Sequence, residues 1–481
     1  MPENHIANLT KNSIIYGIGS ISVQLVAFIL LPVYTNYLSP SEFGVLEILR
    51  TTAALLNIVL VMGFSSALFK TYYTVESPDE RERLISTTYI FISISSAVII
   101  SFMLLISPMI SRIIFLQSNY GNYFRLIFLS LFFEVGIVVY LSVLRAKEKA
   151  KKYSIVAFSR MFLLMGLSIL FVVYYKLSIK GILLAMLIST SIVYLYSVRS
   201  IWSSVSYGFN VKELKSMLKY GLPLVPAGLA SMLLSVSDRY ILQGLVSPSD
   251  LGIYSLGYRL GMIVQVLIIG PFTIAWGPFL WAVSSQNEAK AIYASVLKYF
   301  LAISLFVSLT VSLFAKEIVN LIAVPEYLNA FKIVPYVTIS YVFYGLYYVF
   351  SPGINLQSKT KYLPFIVGAS ALINIVLNYQ LIPVYGIMGA AASTSIAYLL
   401  LPIGTYFASR RYYPISYNWV QVSKIGLIYI LCLWIPRVLD NQMDQYELVL
   451  KILLVIGFPA VLYLVKYIDK NDVHQIRKMV G

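Results

Sequence analysis

Arg50, Arg125, Glu134, Arg160, Asp238, Arg239 and Arg259 all lie inside stretches of sequence that are otherwise apolar. An ionised side chain at the centre of a bilayer costs about 2.5–3.5 kcal/mol or more, so each needs a cavity, a partner or a route to the head groups. Arg50 follows Gly44 by six residues and Arg259 follows Gly252 by seven, so each is about 10 Å along its helix from the outer end. Two guanidiniums facing a common axis would suit a phosphate or pyrophosphate, which they engage bidentately; the alternative is snorkelling to the outer head groups. Arg125, near an outer end, Arg160, about one and a half turns from an inner end, and Arg239 complete the cationic candidates. Asp238 and Arg239 are neighbours whose side chains leave a helix in different directions, so separate partners are expected for them. Glu134, near mid-depth, has three readings: protonated, paired with an arginine, or binding a coupling proton or sodium ion. Structural pairing is the expected one. Glu134 and Asp238 are the candidates for ion coupling or pairing.

No metal, cofactor or catalytic set accompanies these charges. The histidines, His5 and His474, are too far apart in sequence for ligand spacing, and the single cysteine, Cys432, makes no internal disulfide. A P-loop of the form G-x-x-x-x-G-K-[ST] is absent from the sequence, so no nucleotide is expected to drive the protein.

The elements that must hold these residues are membrane helices. Apolar residues make up 59% of the 481 and charged ones 12%, against about 25% charged in a soluble domain. The net charge of +16 sits in short gaps between apolar runs, which argues for membrane topology and against nucleic acid. Runs of about 20 apolar residues, enough to cross a bilayer core, fall near 13–36, 44–69, 84–107, 123–144, 155–175, 180–199, 217–243, 252–279, 291–315, 330–351, 362–382, 386–408, 421–438 and 447–467. The first, after Lys11, is too long for a cleaved signal and is expected to stay as a span. Lys and Arg concentrate in the gaps on the N-terminal side, most densely at Arg145, Lys147, Lys149, Lys151 and Lys152. That bias puts both termini in the cytoplasm; recognition of anionic lipid by the same block is the secondary reading. Inter-span loops are all short, so function must reside within the bundle.

The chain also repeats itself. Ser39-Pro40-Ser41-Glu42-Phe43-Gly44-Val45 returns 208 residues later as Ser247-Pro248-Ser249-Asp250-Leu251-Gly252-Ile253, and Gly181-Ile182 with Ala185 returns as Gly386-Ile387 with Ala390. Spans one to six and seven to twelve are therefore two copies, parallel because six is even. The expected architecture is all-α: about fourteen transmembrane helices, as two pseudo-symmetric six-helix bundles around a central cavity, 1–205 and 206–412, with two extra helices and a tail in 413–481. Prolines and glycines within spans, Pro32, Pro223, Pro226, Gly270, Pro271, Gly277, Pro278 and Pro402, mark kinks, and the clusters at 223–226 and 270–278 mark candidate hinges. Most of the 39 tyrosines are expected at the membrane interfaces; the run 341–348 offers faces on which sugars stack, but it is expected to face all sides of its helix.

The opening "NLTKNSIIYGIGSISVQLVAFILLPVYTNYLSPSEFGVLEI", the mid-chain "YGLPLVPAGLASMLLSVSDRYILQGLVSPSDLGIYSLGYRL" and the late "LIPVYGIMGAAASTSIAYLL" together resemble the polysaccharide transport family. These are the O-antigen and capsule flippases of the multidrug/oligosaccharidyl-lipid/polysaccharide exporter superfamily. The resemblance covers essentially the whole chain. It implies a non-enzymatic transporter of the inner membrane that moves an undecaprenyl-pyrophosphate-linked oligosaccharide from the cytoplasmic to the outer leaflet. Membrane lipids and other polysaccharide-assembly membrane proteins would be its partners. It further implies arginines in a central cavity for the pyrophosphate, which Arg50 and Arg259 match in position and type, and it marks Asp238 and Arg239, inside a matching stretch, as important. A drug/cation antiporter of the same superfamily would favour acidic residues for a cationic cargo, whereas these charges lean basic. A membrane polymerase or ligase would carry a long outer loop, and none is present in the sequence.

Overall fold

The computed structural model describes residues 28–202, 208–439 and 446–467; these are almost wholly helical, with no strand among them. They fall into two compact units, one up to Ser255 together with Ile322–Tyr327, the other comprising the rest. The first unit holds α1 (Leu31–Tyr37), α2 (Pro40–Val61), α3 (Phe64–Thr74), α4 (Pro78–Phe115), α5 (Gly121–Ala146), α6 (Ala150–Ile169), α7 (Ser178–Trp202), α8 (Val211–Gly221), α9 (Leu224–Leu245) and the start of α10 (Pro248–Gly261). The second holds the end of α10, α11 (Gly270–Val283), α12 (Ala289–Leu313), nearly all of α13 (Ala315–Ile322), α14 (Val334–Val349), α15 (Pro352–Leu356), α16 (Tyr362–Tyr385), α17 (Ile387–Arg410), α18 (Trp419–Leu439) and α19 (Glu447–Leu464).

This is a multi-pass membrane protein: among the described residues, twelve helices or helix pairs are long and apolar enough to cross a bilayer. A thirteenth appears when Pro325–Lys332 and Val334–Leu356, bent by 43°, are taken as one span. Each of the second to fourteenth spans expected from the sequence corresponds to one of these. The first lies outside the described residues except for its end, which contains α1; His5, Lys11 and His474 lie outside them too. The large side chains that α4 and α19 expose, including Val98, Phe102, Leu105, Leu453 and Ile456, are the surface that lipid would solvate.

The repeated segment is a helix start. Ser39 caps α2: its hydroxyl accepts from the Glu42 N–H at 3.3 Å while the Ser39 N–H donates back to the Glu42 carboxylate at 2.9 Å. Pro40 occupies the first turn, where its missing N–H costs nothing. At α10 the Asp250 N–H donates to Ser247 at 3.1 Å and the Ser247 hydroxyl to Asp250 at 2.8 Å. The glycines of the two copies meet inside the first unit. A Cβ on Gly44 would overlap the carbonyl of Pro248, and one on Gly252 that of Pro40. Only glycine allows two helix backbones this close.

Two spans of the first unit are interrupted. Between α2 and α3, Met62 and Gly63 are both left-handed, at φ 49° and 69°. Between α8 and α9 the break falls at Gly221–Pro223. These breaks touch: a Cβ on Gly63 would stand 2.5 Å from the Gly221 carbonyl oxygen. In the second unit a π turn over Gln265–Ile269 precedes Gly270 and Pro271, a local widening that accommodates the N–H that proline lacks.

Candidate functional site

In the first unit α2 packs beside α9, and the Thr52 and Tyr240 hydroxyls meet across them at 2.8 Å. Arg50 projects from α2 with its guanidinium 5.2 Å from the centroid of the Tyr34 ring, and Tyr34 is held by Ser168 at 3.3 Å. Glu47, one turn earlier, stands 3.7 Å from Arg50, close enough for Coulomb attraction and beyond hydrogen-bond distance. Glu47 is only 5% exposed while the Arg50 side chain keeps 20%, so the arginine is the accessible member of the pair.

Asp238 and Arg239 on α9 are both buried. Contrary to the expectation of separate partners, they bond to each other: Nη1 of Arg239 is 3.2 Å from Oδ1 of Asp238. The two Cβ atoms diverge, but the arginine stem is long enough to fold its guanidinium back over the preceding residue. Arg239 also donates to the Ser235 carbonyl at 2.7 Å, and Asp238 accepts from Tyr254. The buried charge is thus neutralised and hydrogen-bonded locally.

Glu134 on α5 and Arg160 on α6 form a bidentate pair, with Nη1 to Oε1 at 2.8 Å and Nη2 to Oε2 in close contact. Each side chain remains over a fifth exposed. Arg125 lies apart from these: exposed in the first turns of α5, it donates to Ser107 and Asn122 at 3.1 Å each. Arg259 belongs to the second unit, half-buried in the last turn of α10.

One charged group escaped the sequence reading. Glu47 announced itself only as an i−3 neighbour of Arg50. The tyrosines of 341–348 do not ring α14 evenly. Tyr344 and Tyr347 stack within 2° of parallel, Tyr344 and Tyr348 share a hydrogen bond of 2.9 Å, and Tyr341 packs between Tyr258 and Tyr398. These six residues make an aromatic and hydroxyl-bearing cluster inside the second unit. Outside the spans, burial holds the Lys147 ammonium below its usual pKa, helped by Lys149. Among the described residues no group of three or more His, Cys, Asp or Glu is arranged to hold a metal ion.

Comparison with known proteins bears on these features. The family model described as "Polysaccharide biosynthesis protein" matches residues 9–284. A Haemophilus influenzae protein of the Lsg locus is 26% identical over 266 residues, which is 54% of this chain and 62% of that protein, less than two thirds of its length. Among solved structures, the lipid II flippase MurJ in an inward closed conformation superposes with a TM-score of 0.74 at 16% identity, over 94% of this chain and 99% of that one. An inward-facing multidrug resistance MATE family transporter of the MOP superfamily gives 0.70 at 16% identity, over 81% and 94%. At such identity these likenesses establish the fold, and it is the fold that the resemblance led us to expect.

Proposed function

We propose a transport function for this chain, which belongs to the polysaccharide biosynthesis protein family: it flips an undecaprenyl-pyrophosphate-linked oligosaccharide from the cytoplasmic to the outer leaflet, for O-antigen or capsule assembly. The observation that carries this reading is Arg50. It is an intramembrane guanidinium, partly accessible, whose nearby carboxylate is too distant to occupy its N–H donors, and it therefore retains bidentate capacity for a pyrophosphate. Arg259, its near-equivalent in the second repeat, is the second proposed contact. Arg239, Arg125 and Arg160 already donate to protein groups, and we assign them to holding helices in place. The tyrosine cluster offers faces and hydroxyls on which sugars stack.

In this mechanism the polar head group enters a hydrated cationic cavity while the polyprenyl tail remains in lipid, because sugars and phosphates cannot cross hydrocarbon unassisted. The bundles of 1–205 and 206–412 then exchange access between the leaflets, with both termini in the cytoplasm and the protein in the inner membrane. Energy comes from an ion gradient, the membrane potential or consumption of the product. Glu134 and Asp238, both bonded to arginines, are the groups at which an ion would have to compete.

The test is transfer of a lipid-pyrophosphate-linked oligosaccharide in proteoliposomes of the purified protein, comparing wild type, Arg50→Ala, Arg259→Ala and Arg50→Lys. Loss in the alanine variants, with only partial rescue by Arg50→Lys, is expected. Full transfer by both alanine variants would remove the site assignment. No transfer by wild type with several such lipids, together with proton- or sodium-driven efflux of organic cations, would replace the reading with an antiporter.

A further inference from the structure

At one end of the second unit four charges converge from two helices. Lys316 and Glu317 begin α13; Glu447 and Lys451 lie in the first turns of α19. The Lys451 side chain is only 5% exposed, and its Nζ stands 2.6 Å from Oε1 of Glu317 and 2.6 Å from Oε1 of Glu447. Lys316 Nζ is 4.0 Å from Oε2 of Glu447, too far for a hydrogen bond. An ammonium has three N–H donors, so Lys451 keeps one beyond those two carboxylates. On the acceptor side, Oε2 of Glu317 is buried and receives no hydrogen bond among the described residues. That is an expensive condition for a carboxylate oxygen unless a donor arrives from elsewhere.

A cavity of about 110 Å³ opens at this cluster, with Lys316, Lys451 and Glu447 in its polar wall and Phe331, Pro335 and Leu433 in its apolar one. A single water needs about 10–15 Å³ of such space, so the cavity admits a group of phosphate size. Two positive and two negative charges balance locally, which disfavours a ligand of single net charge and favours one with both signs.

We propose that this cavity binds the head group of a zwitterionic phospholipid bearing a primary ammonium, of the phosphoethanolamine type. The phosphate takes the remaining N–H of Lys451 and those of Lys316. The ligand ammonium donates to Glu447, and the glycerol end lies along the apolar wall. A quaternary ammonium has no N–H to donate, and a glycerol head group leaves the carboxylates facing a net anion. The site rests on the transport reading only for the leaflet it faces, which in the proposed orientation is the outer one.

Native mass spectrometry of the delipidated full-length protein tests this without any transport step, so failure of the flipping assay and failure of this site are separate results. The probes are dilauroyl phosphatidylethanolamine, phosphatidylcholine and phosphatidylglycerol, each alone, with free phosphoethanolamine or inorganic phosphate as competitor. Expected is about fivefold or greater preference for phosphatidylethanolamine, displaced by free phosphoethanolamine and weakened in Lys316→Gln and in Glu447→Gln. Lys316→Gln leaves the Glu317–Lys451–Glu447 contacts intact and so guards against misfolding as the explanation. Equal retention of the three lipids, displacement by inorganic phosphate as readily as by phosphoethanolamine, or undiminished preference in both variants would overturn the assignment.

Discussion

Gly252 rests on the carbonyl of Pro40, and Gly44 rests on that of Pro248. The reciprocity is that of an isologous contact: one segment, present twice in the sequence, meets its own copy. The serine and the acidic residue of each copy fasten a helix start, the proline opens its first turn, and the glycine four residues later lets the two starts cross. The seven-residue repeat is thus explained by packing and capping, with no ligand required.

Gly44→Ala and Gly252→Ala should therefore each destabilise the protein by about 1–3 kcal/mol, because the added Cβ meets backbone, which cannot rotate away. Gly166→Ala, on α6 with nothing within 4 Å of the added Cβ, is the matched control and should be neutral or gain up to about 1 kcal/mol from helix propensity. Thermal unfolding in one detergent measures all three. Equal midpoints would show that the crossing is looser than described.

Glu47 is expected to act as a restraint on Arg50. Glu47→Gln removes a carboxylate 3.7 Å from the guanidinium and should tighten binding of a pyrophosphate-bearing lipid by about fivefold, roughly 1 kcal/mol. Arg50→Ala should weaken it by a similar or larger factor. Equilibrium binding to detergent-solubilised protein reads both, and weaker binding in Glu47→Gln would mean that the carboxylate orients the arginine instead of competing for it.

For Glu134 and Arg160 the question is pairing against coupling. Either single change, Glu134→Gln or Arg160→Gln, should cost more stability than the double change, with a coupling energy of about 1–3 kcal/mol in a double-mutant cycle. If the pair is structural, the double variant also retains transfer and its ion dependence. A stable double variant whose transfer no longer responds to a proton or sodium gradient would identify Glu134 as the coupling group.

The sequence carried the spans well because bilayer thickness imposes a long apolar run on every one of them, and twelve or thirteen of these runs recur as helices. It carried the repeat because capping and crossing both demand particular residue types. It failed where geometry depends on side-chain reach or on neighbours distant in sequence. Adjacent Asp238 and Arg239 bond because an arginine can fold back, and no periodicity encodes that. The interruption at Met62–Gly63 lies within a run that reads as one continuous helix, and the backbone it meets, at Gly221, is 158 residues later in the chain.

That interruption leads to the last prediction. α2 packs with α9 on one side of the two breaks and α3 packs with α8 on the other, so the four segments form a joint with Gly63 and Gly221 at its crossing. Its pairing implies that α3 and α8 move together relative to α2 and α9. Gly63→Ala adds a left-handed alanine, costing about 1–2 kcal/mol, and drives its Cβ against the Gly221 carbonyl. If an alternative state relaxes the bend, this change shifts the population toward it by about 5- to 30-fold. Spin labels in a Cys432→Ser background read the outcome. The distance from Ser66 on α3 to Ser216 on α8 should hold constant, while that from Ser66 to Leu245 at the end of α9 should change in Gly63→Ala. Movement of Ser66 relative to Ser216 would show that α3 and α8 do not travel as a pair, and constancy of both distances would show that the bend is a fixed feature of the helix and no joint at all.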